Sequence, residues 1–194
     1  MMEIVNIQNQ KAIEIALKVI KTGGVVVCPT DTVYGFLADA SNEKAVDKIY
    51  KIKERPRLKP LPVFVKDIEI AESLSEINED QIKILNEKWP GKYTFILNRK
   101  GMEKFYGVDE KTIALRIPKY EFLNNLLKKI NKPLVQTSVN ISGQPTLLEI
   151  KKITEIFVEE KNQPDLIIDA GDLPKSESST IIDLTKNNIK IIRK

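Results

Sequence analysis

The chain of 194 residues contains no histidine. This absence excludes imidazole general bases, nucleophile triads built on histidine and the usual catalytic zinc sites. Any chemistry must therefore use charge, positioning, or lysine and carboxylate groups. The one cysteine, Cys28, can form no intramolecular disulfide, which fits a reducing compartment. Because Cys28 ends an apolar run, we expect a buried structural thiol rather than a nucleophile.

Long apolar runs are also missing. No run approaches the roughly 20 residues that a membrane-spanning helix needs. Residues 1–7 show neither the basic segment nor the apolar core of a signal peptide. We therefore expect a cytoplasmic protein without membrane contact. The sequence also has no glycine-rich phosphate-binding loop of the common kinds, so a bound nucleotide would have to be held in another way.

The length and the hydrophobic content of 42% fit one globular domain, which we place at residues 1–194. Apolar residues at helical spacing predict helices at residues 13–20, 42–51, 68–74, 79–89, 122–130 and 148–159. Short apolar runs predict strands at residues 25–28, 63–65, 93–97, 113–117, 134–139, 166–169, 180–184 and 189–192. The irregular alternation of the two predicts a mixed-sheet α/β or α+β fold.

The net charge of +4 is concentrated in one segment. Residues 51–59 contain five basic residues against the single acid Glu54, and the rest of the chain cancels. The basic residues are Lys51, Lys53, Arg55, Arg57 and Lys59. We expect the helix to end at Lys51 and the following segment, stiffened by prolines, to project its charges to one side. Such a group suits a polyphosphate; a solvated basic loop is the alternative.

Two polar segments follow predicted strands, where α/β proteins place ligands. In the first, the hydroxyls of Thr30 and Thr32 can bind carboxylate or phosphate oxygens, and Asp31 can hold an amine or a metal. Which of Thr30 and Asp31 contacts a ligand stays open. In the second, Ser138 and Asn140 fall on the same side of a strand and can donate to an anion or ligate a hydrated metal. Ordinary turns are the alternative for both.

Hydroxyl groups also cluster at Ser178–Thr180, before a strand, which suits either oxyanion binding or an exposed turn. Arg116 and Arg193 lie within apolar strands. A buried arginine needs a partner, so we expect an anion beside each, most simply in a core salt bridge.

Several motifs, in a fixed order along the chain, together resemble the YrdC-like family of threonylcarbamoyl-AMP synthases, in its short single-domain form. The motifs are Pro29-Thr30-Asp31-Thr32-Val33-Tyr34-Gly35, Lys53-x-Arg55-Pro56, Pro60-Leu61, Pro90-Gly91, Leu115-Arg116-Ile117-Pro118, Ser138-x-Asn140-x-Ser142-Gly143 and Ser179-Thr180-Ile181-Ile182-Asp183. The resemblance covers residues 7 to 193. It implies a twisted mixed β-sheet flanked by helices, with a basic concave cavity.

The resemblance also implies an activity. L-threonine, bicarbonate or CO2, and ATP would give threonylcarbamoyl-AMP and diphosphate, a nucleotidyltransferase reaction. Mg2+ would be carried by ATP, with no dedicated protein site. The product would pass to the tRNA threonylcarbamoyl-transferase machinery, which modifies adenosine 37. Since a carbamate is already a charged nucleophile, this chemistry needs no imidazole.

Site residues are carried over by resemblance, motif by motif. The catalytic, phosphate-handling set is Lys53, Arg55, Ser138 and Asn140. The threonine-binding set is Thr32, Arg116 and Ser179. Further ATP-binding positions are Lys59, Thr112, Thr146 and Arg193.

The chain departs from the family pattern at three places. Phe64 stands where many relatives carry a histidine that contacts threonine. Lys92 follows Pro90-Gly91 where proline is common. The C-terminal extension of the longer, two-domain relatives is expected to be missing, so short loops would close the site.

Two other functions compete with the synthase. One is a module that binds double-stranded RNA or tRNA without catalysis, and weak RNA binding could also accompany the enzyme. Against it, the charge excess is small and aromatic residues make up only 6% of the chain. The other is a carbamoyl-adenylate enzyme of the hydrogenase-maturation type. The sequence shows no zinc-finger or acylphosphatase-like segment of the kind those proteins carry.

Overall fold

The computed structural model describes residues 2–101, 103–186 and 188–194. Its helices are α1 (Ala12–Lys21), α2 (Glu43–Lys53), α3 (Ile68–Leu74), α4 (Glu79–Lys88), α5 (Glu121–Ile130) and α6 (Ile150–Glu159). Every predicted helix is confirmed, with ends within two residues of the predicted ones. None of the helices in the described part of the chain is long and apolar enough to cross a membrane.

The strands form one mixed sheet. They are β1 (Glu3–Asn6), β2 (Val26–Cys28), β3 (Gly35–Asp39), β4 (Val63–Phe64), β5 (Ser75–Glu76), β6 (Tyr93–Arg99), β7 (Thr112–Arg116), β8 (Leu134–Ser138), β9 (Leu166–Asp169), β10 (Thr180–Asp183) and β11 (Lys190–Arg193). Their order is β1-β9-β2-β3-β8-β4-β7-β6-β10-β11, with β5 pairing β6. The pairs β1/β9, β2/β9, β4/β7 and β6/β10 are parallel and the others antiparallel. The predicted mixed sheet is confirmed.

Three strands were not predicted, and each has a physical reason. All five residues of β3 are buried, so the strand lacks the alternation of a half-exposed strand. Only Val5 of β1 is buried. β5 has two residues, too few for any pattern.

Helices cover both faces of the sheet. Alternation along β2 sends Val27 to the face covered by α2 and α6, and sends Val26 and Cys28 to the face covered by α1 and α5. Burial raises the pKa of the Cys28 thiol, which keeps it protonated and unreactive. The predicted structural role of this cysteine is confirmed.

The end of α2 differs from its prediction. The helix continues through Lys53 and is closed by Glu54, which adopts a left-handed backbone with φ 50°. Positions two apart in a helix lie on nearly opposite sides, so Lys51 is exposed while Lys53 is buried. The expectation that the basic residues project together from an extended segment is therefore wrong.

Candidate active site

A cavity of about 290 Å3 opens where β7, β8 and β11 meet the loops after β2 and α2. Seven of the residues carried over by resemblance line it: Thr32, Arg55, Thr112, Arg116, Ser138, Ser179 and Arg193. The four others, which do not line it, are Lys53, Lys59, Asn140 and Thr146. Three arginines face one acid in the lining, Asp109, so the cavity is basic, as expected.

A larger depression of about 960 Å3 lies between α3, α4, residues 184–186 and residue 189. Its lining mixes acidic, basic and apolar side chains and includes none of the residues carried over by resemblance. We therefore assign the chemistry to the smaller cavity, where these residues and the buried charges come together.

Arg116, at the end of β7, is only 2% exposed, yet it lines the cavity. Its Nη2 donates to Asp31 Oδ1 at 2.6 Å, Nη1 to Thr32 Oγ1 at 3.3 Å and Nε to the Gly91 carbonyl at 3.0 Å. Burial lowers the pKa of Arg116 and Asp31 opposes that shift; a guanidinium stays charged in either case. The expected anion beside Arg116 is thus Asp31.

The Pro90-Gly91 motif explains the third of these contacts. A side chain at Gly91 would bring its Cβ to 2.5 Å from the Lys88 carbonyl oxygen. Glycine therefore allows the tight turn that presents the Gly91 carbonyl to Arg116. No sequence pattern within the motif indicated this partner, because Arg116 is 25 residues away.

The loop after β2 separates the roles of Thr30 and Asp31. Thr30 Oγ1 binds the Val33 carbonyl at 2.7 Å and the Thr32 hydroxyl at 2.9 Å, and it accepts from the Thr32 backbone N–H. Its hydroxyl is therefore occupied within the turn. Asp31 instead reaches across to Arg116, and its second oxygen, Oδ2, is buried without a hydrogen-bond partner among the described residues.

Lys53 joins α2 to the end of β8. Its Nζ donates to the carbonyls of Ser138 at 2.6 Å and Asn140 at 2.9 Å, and to Asn140 Oδ1 at 2.8 Å. Burial, followed by the nearby charge of Arg55, lowers the pKa of Lys53 to about 7. Three acceptors use all three N–H groups of an ammonium, so this arrangement is that of the charged form. Lys53 is thus inside the wall rather than on the cavity surface.

The side chain of Asn140 links Lys53 to Ser138 and fixes the orientation of the Ser138 hydroxyl. The Asn140 amide donates to the Ile141 and Gln144 carbonyls, which fixes its orientation, and its Oδ1 accepts from Ser138 Oγ at 2.7 Å. The prediction that Ser138 and Asn140 share one side is confirmed. Because the serine hydrogen is used in this bond, Ser138 Oγ offers only lone pairs to the cavity. This favours a cation or an N–H over a phosphate oxygen as its ligand.

Arg55 is held by the proline-containing loop. Its Nε and Nη2 donate to the carbonyls of Lys59 at 3.0 Å and Pro60 at 2.9 Å. Burial lowers the pKa of Arg55. Lys59 contributes a carbonyl here while its side chain is exposed, and Thr146 is half-buried outside the cavity.

Ser179 and Arg193 form the wall next to β10 and β11. Arg193 Nη2 donates to the Ser179 carbonyl at 2.7 Å, and the Ser179 hydroxyl meets Thr94 Oγ1 at 2.8 Å. The expected anion beside Arg193 is wrong, because a backbone carbonyl takes that place. Partial burial of its guanidinium, and then the charge of Arg116, lowers the pKa of Arg193. Among the residues that the structure describes, no acidic side chain forms an ion pair with Arg193, so this cation suits an anionic ligand.

Sequence reasoning did not identify two further cavity residues, Asp109 and Gln136. Asp109 Oδ1 accepts from the backbone N–H groups of Lys111 and Thr112 and from the Thr112 hydroxyl at 3.1 Å. An Asp three residues before a Thr is the signal that could have revealed this turn. Gln136 gave no signal beyond its place in a strand.

Phe64 does not line the cavity. It is fully buried, and its ring centroid lies 5.6 Å from Arg116 Cζ. Phe64 therefore makes a cation–π contact with Arg116.

No group of three or more acidic or cysteine side chains placed to hold a metal ion occurs within residues 2–101, 103–186 and 188–194. The oxygen atoms that line the cavity come from the single acid Asp109 and from neutral groups such as the Ser138 hydroxyl.

Comparison with known sequences finds one family model and relatives whose names agree with each other. The sequence model of the Sua5/YciO/YrdC family, described as "Telomere recombination", matches residues 18–194. The putative threonylcarbamoyl-AMP synthase of Methanocaldococcus jannaschii is 38% identical over 189 residues, which cover 96% of this chain and 86% of that protein. The threonylcarbamoyl-AMP synthase of Pyrococcus abyssi is 34% identical over 178 residues, 90% of this chain and 51% of the relative.

Comparison with solved structures agrees with the sequence comparison. The crystal structure of P. abyssi Sua5 complexed with L-threonine superposes with a TM-score of 0.87 at 31% identity, covering 100% of this chain and 57% of that one. This chain thus spans a little over half the length of the P. abyssi protein. The family match and the sequence identities confirm the resemblance seen in the motifs: the chain belongs to the Sua5/YciO/YrdC family.

Proposed function

We propose that this protein is an L-threonylcarbamoyladenylate synthase that uses L-threonine, bicarbonate or CO2, and ATP. The observation that carries the proposal is the cavity itself, in which Arg55, Arg116 and Arg193 face one acid. The names of the M. jannaschii and P. abyssi relatives, and the threonine bound to the P. abyssi structure, support it.

The proposed reaction brings several anions together. The ammonium group of threonine first releases a proton; the resulting amine then forms a bond to the carbon of bicarbonate while a C–O bond of bicarbonate breaks and water leaves, which gives a carbamate. A carbamate oxygen then forms a bond to the α-phosphorus of ATP, and the bond from that phosphorus to the bridging oxygen breaks, releasing diphosphate. Arginine side chains offset the repulsion between carbamate and phosphates and stabilise charge that develops on the phosphoryl oxygens.

The geometry suggests a role for each group. Arg116 binds the threonine carboxylate in a fork-like contact. Arg55 and Arg193 bind phosphate oxygens. Lys53 and Asn140 act one step away, because they orient Ser138 rather than reach the cavity.

Mg2+ would arrive with ATP, and Ser138 Oγ, with its lone pairs towards the cavity, fits a contact to the hydrated ion. The ion would supply charge neutralisation for the phosphates. The product would then be passed to a tRNA threonylcarbamoyl-transferase in the cytoplasm.

Diphosphate release from ATP tests the proposal. We expect release that falls to background when either threonine or bicarbonate is omitted. Release that is indifferent to threonine would contradict the proposal. If no diphosphate appears but tRNA binds with a steep salt dependence, the chain is an RNA-binding module instead.

A further inference from the structure

The strand β11 forms one edge of the sheet. Among the described strands it is hydrogen-bonded to β10 alone, and all four of its residues are exposed. Three isoleucines at this edge are exposed to a similar extent: Ile189 at 59%, Ile191 at 51% and Ile192 at 49%. An open edge carries unpaired backbone N–H and C=O groups, which are a template for a further strand. This edge therefore combines free backbone hydrogen-bonding groups with exposed apolar side chains.

The opposite edge of the sheet, β1, differs in both respects that matter for docking. Ile4 is its exposed large apolar side chain, and its charged residue is the acid Glu3. At the β11 edge, by contrast, the charged residues of positions 189–194 are all basic: Lys190, Arg193 and Lys194. The two edges of the sheet therefore have opposite charge, and β1 provides an internal comparison for β11.

The charge of β11 limits what can pair with it. If the β11 strands of two copies paired with each other, basic side chains would lie against basic side chains, which is destabilising. A nucleic acid can neutralise the lysines, but it cannot continue the ladder of backbone hydrogen bonds. An extended peptide can do both when it carries carboxylates. Because side chains alternate between the two faces of a strand, a segment of alternating acidic and apolar residues places a carboxylate beside Lys190 and an apolar group beside Ile191.

This edge also lies between the two cavities. Ile192 and Arg193 line the catalytic cavity, whereas Ile189 lines the larger depression. A bulge explains why two consecutive residues reach the same cavity: Ile181 pairs with Arg193 and Ile182 with Ile191, which leaves Ile192 as an extra residue. Positions 190 and 191 stay in regular register with β10. A strand added outside them would therefore lie next to the wall that contains Arg193.

We propose that β11 is a docking edge for a partner protein, which adds an extended acidic segment to the sheet as a further strand. Carboxylates of this segment meet Lys190 and Lys194, and its apolar residues cover Ile189 and Ile191. The inference goes beyond the proposed function and does not depend on it, because the addition of a strand needs no substrate. It places a protein partner beside the catalytic cavity.

Titration of the isotope-labelled full chain with synthetic peptides, followed by NMR, tests the inference. One peptide alternates glutamate with valine, a second alternates lysine with valine, and a third has the composition of the first with its glutamates grouped together. We expect the first peptide to bind at least ~10-fold more tightly than either of the others, as several matched cross-strand pairs allow. It should shift the amide signals of β11 and leave those of β1 unchanged.

A charge reversal at each edge sharpens the test. Lys190→Glu should weaken binding of the alternating glutamate peptide by ~5-fold and strengthen binding of the lysine peptide, because an attractive cross-strand pair becomes a repulsive one. Glu3→Lys on β1 is the matched control and should change neither affinity by more than about twofold. Since both side chains are exposed, both variants should keep the wild-type melting temperature.

Equal affinity for the alternating and the grouped glutamate peptides would overturn the inference, because charge alone would then account for binding. So would signal shifts in β1 rather than β11, or the absence of binding by any of the peptides. A molecular mass that rises with protein concentration in light scattering, with shifts in β11 and no added peptide, would assign the edge to a second copy instead. Diphosphate release tests the proposed function separately, so the two can fail independently.

Discussion

Replacing Lys53 by methionine should lower turnover strongly while changing the free energy of unfolding little. Methionine fills a similar volume, so no large cavity forms. The change leaves two buried carbonyls, of Ser138 and Asn140, without their donor, while Asn140 Oδ1 keeps the Ser138 hydroxyl. Each unsatisfied group costs about 1–3 kcal/mol, so the loss is about 2–6 kcal/mol.

An opposing effect has a similar size. Burial lowers the pKa of Lys53 from 10.5 to about 7. At about 1.4 kcal/mol per pH unit, the native state therefore pays about 5 kcal/mol to hold the charge near neutral pH. Methionine removes that cost. We expect the free energy of unfolding of Lys53→Met to lie within about 2 kcal/mol of the wild type.

Turnover should nevertheless fall by ~10²-fold or more, because Asn140 and Ser138 lose the cation that orders them and the wall behind the cavity loses a positive charge. Urea unfolding followed by circular dichroism gives the stability, and diphosphate release gives the turnover. The matched control is Lys48→Met on the same helix. Lys48 pairs with Asp165 at 2.7 Å near the surface, so its loss should cost less than about 1 kcal/mol and leave turnover unchanged.

Two results would refute this reasoning. Wild-type turnover in Lys53→Met would show that Lys53 does not order the site. Destabilisation by much more than the expected range would show that the hydrogen bonds of the ammonium outweigh its desolvation.

Three further predictions follow from the buried charges. Lys53 keeps its proton up to about pH 10.5 in the unfolded chain but releases it near pH 7 in the folded chain. The free energy of unfolding of the wild type should therefore rise with pH between these values, relative to that of Lys53→Met, by up to about 1.4 kcal/mol per pH unit. A difference between the two proteins that does not change with pH in urea titrations would contradict this. Arg116→Met leaves Asp31 buried without its cation, so urea unfolding should show a loss of about 3–5 kcal/mol, part of which a second Asp31→Asn change restores; a double variant no more stable than Arg116→Met would argue against the pair. Arg55→Ala should lower the turnover of diphosphate release by ~10²-fold, as expected for a lost transition-state charge contact, and unchanged turnover would place the phosphates elsewhere.

Local patterns were enough to predict the helices, most of the strands and the residue types of the site. Apolar spacing marks the faces that pack on the sheet, and the motifs mark the loops at strand ends. The direction of Lys53 could not be predicted, because its partners lie 85 and 87 residues away and only the folded sheet brings them close. The partner of Arg193 was mistaken for the same reason. A backbone carbonyl leaves no mark in the sequence, whereas Asp31, the partner of Arg116, is a charged side chain that a motif could indicate.

The position of Arg193 has a consequence for dynamics. Its strand, β11, is hydrogen-bonded to β10 alone among the described strands, and all four of its residues are exposed. Such an edge opens by local unfolding at a lower free energy than the core of the sheet. One wall of the cavity is therefore formed by an edge strand that opens more easily than the core of the sheet. A phosphate bound between Arg193 and the interior would hold that strand in place, so substrate binding should appear as slowed amide hydrogen exchange in β11.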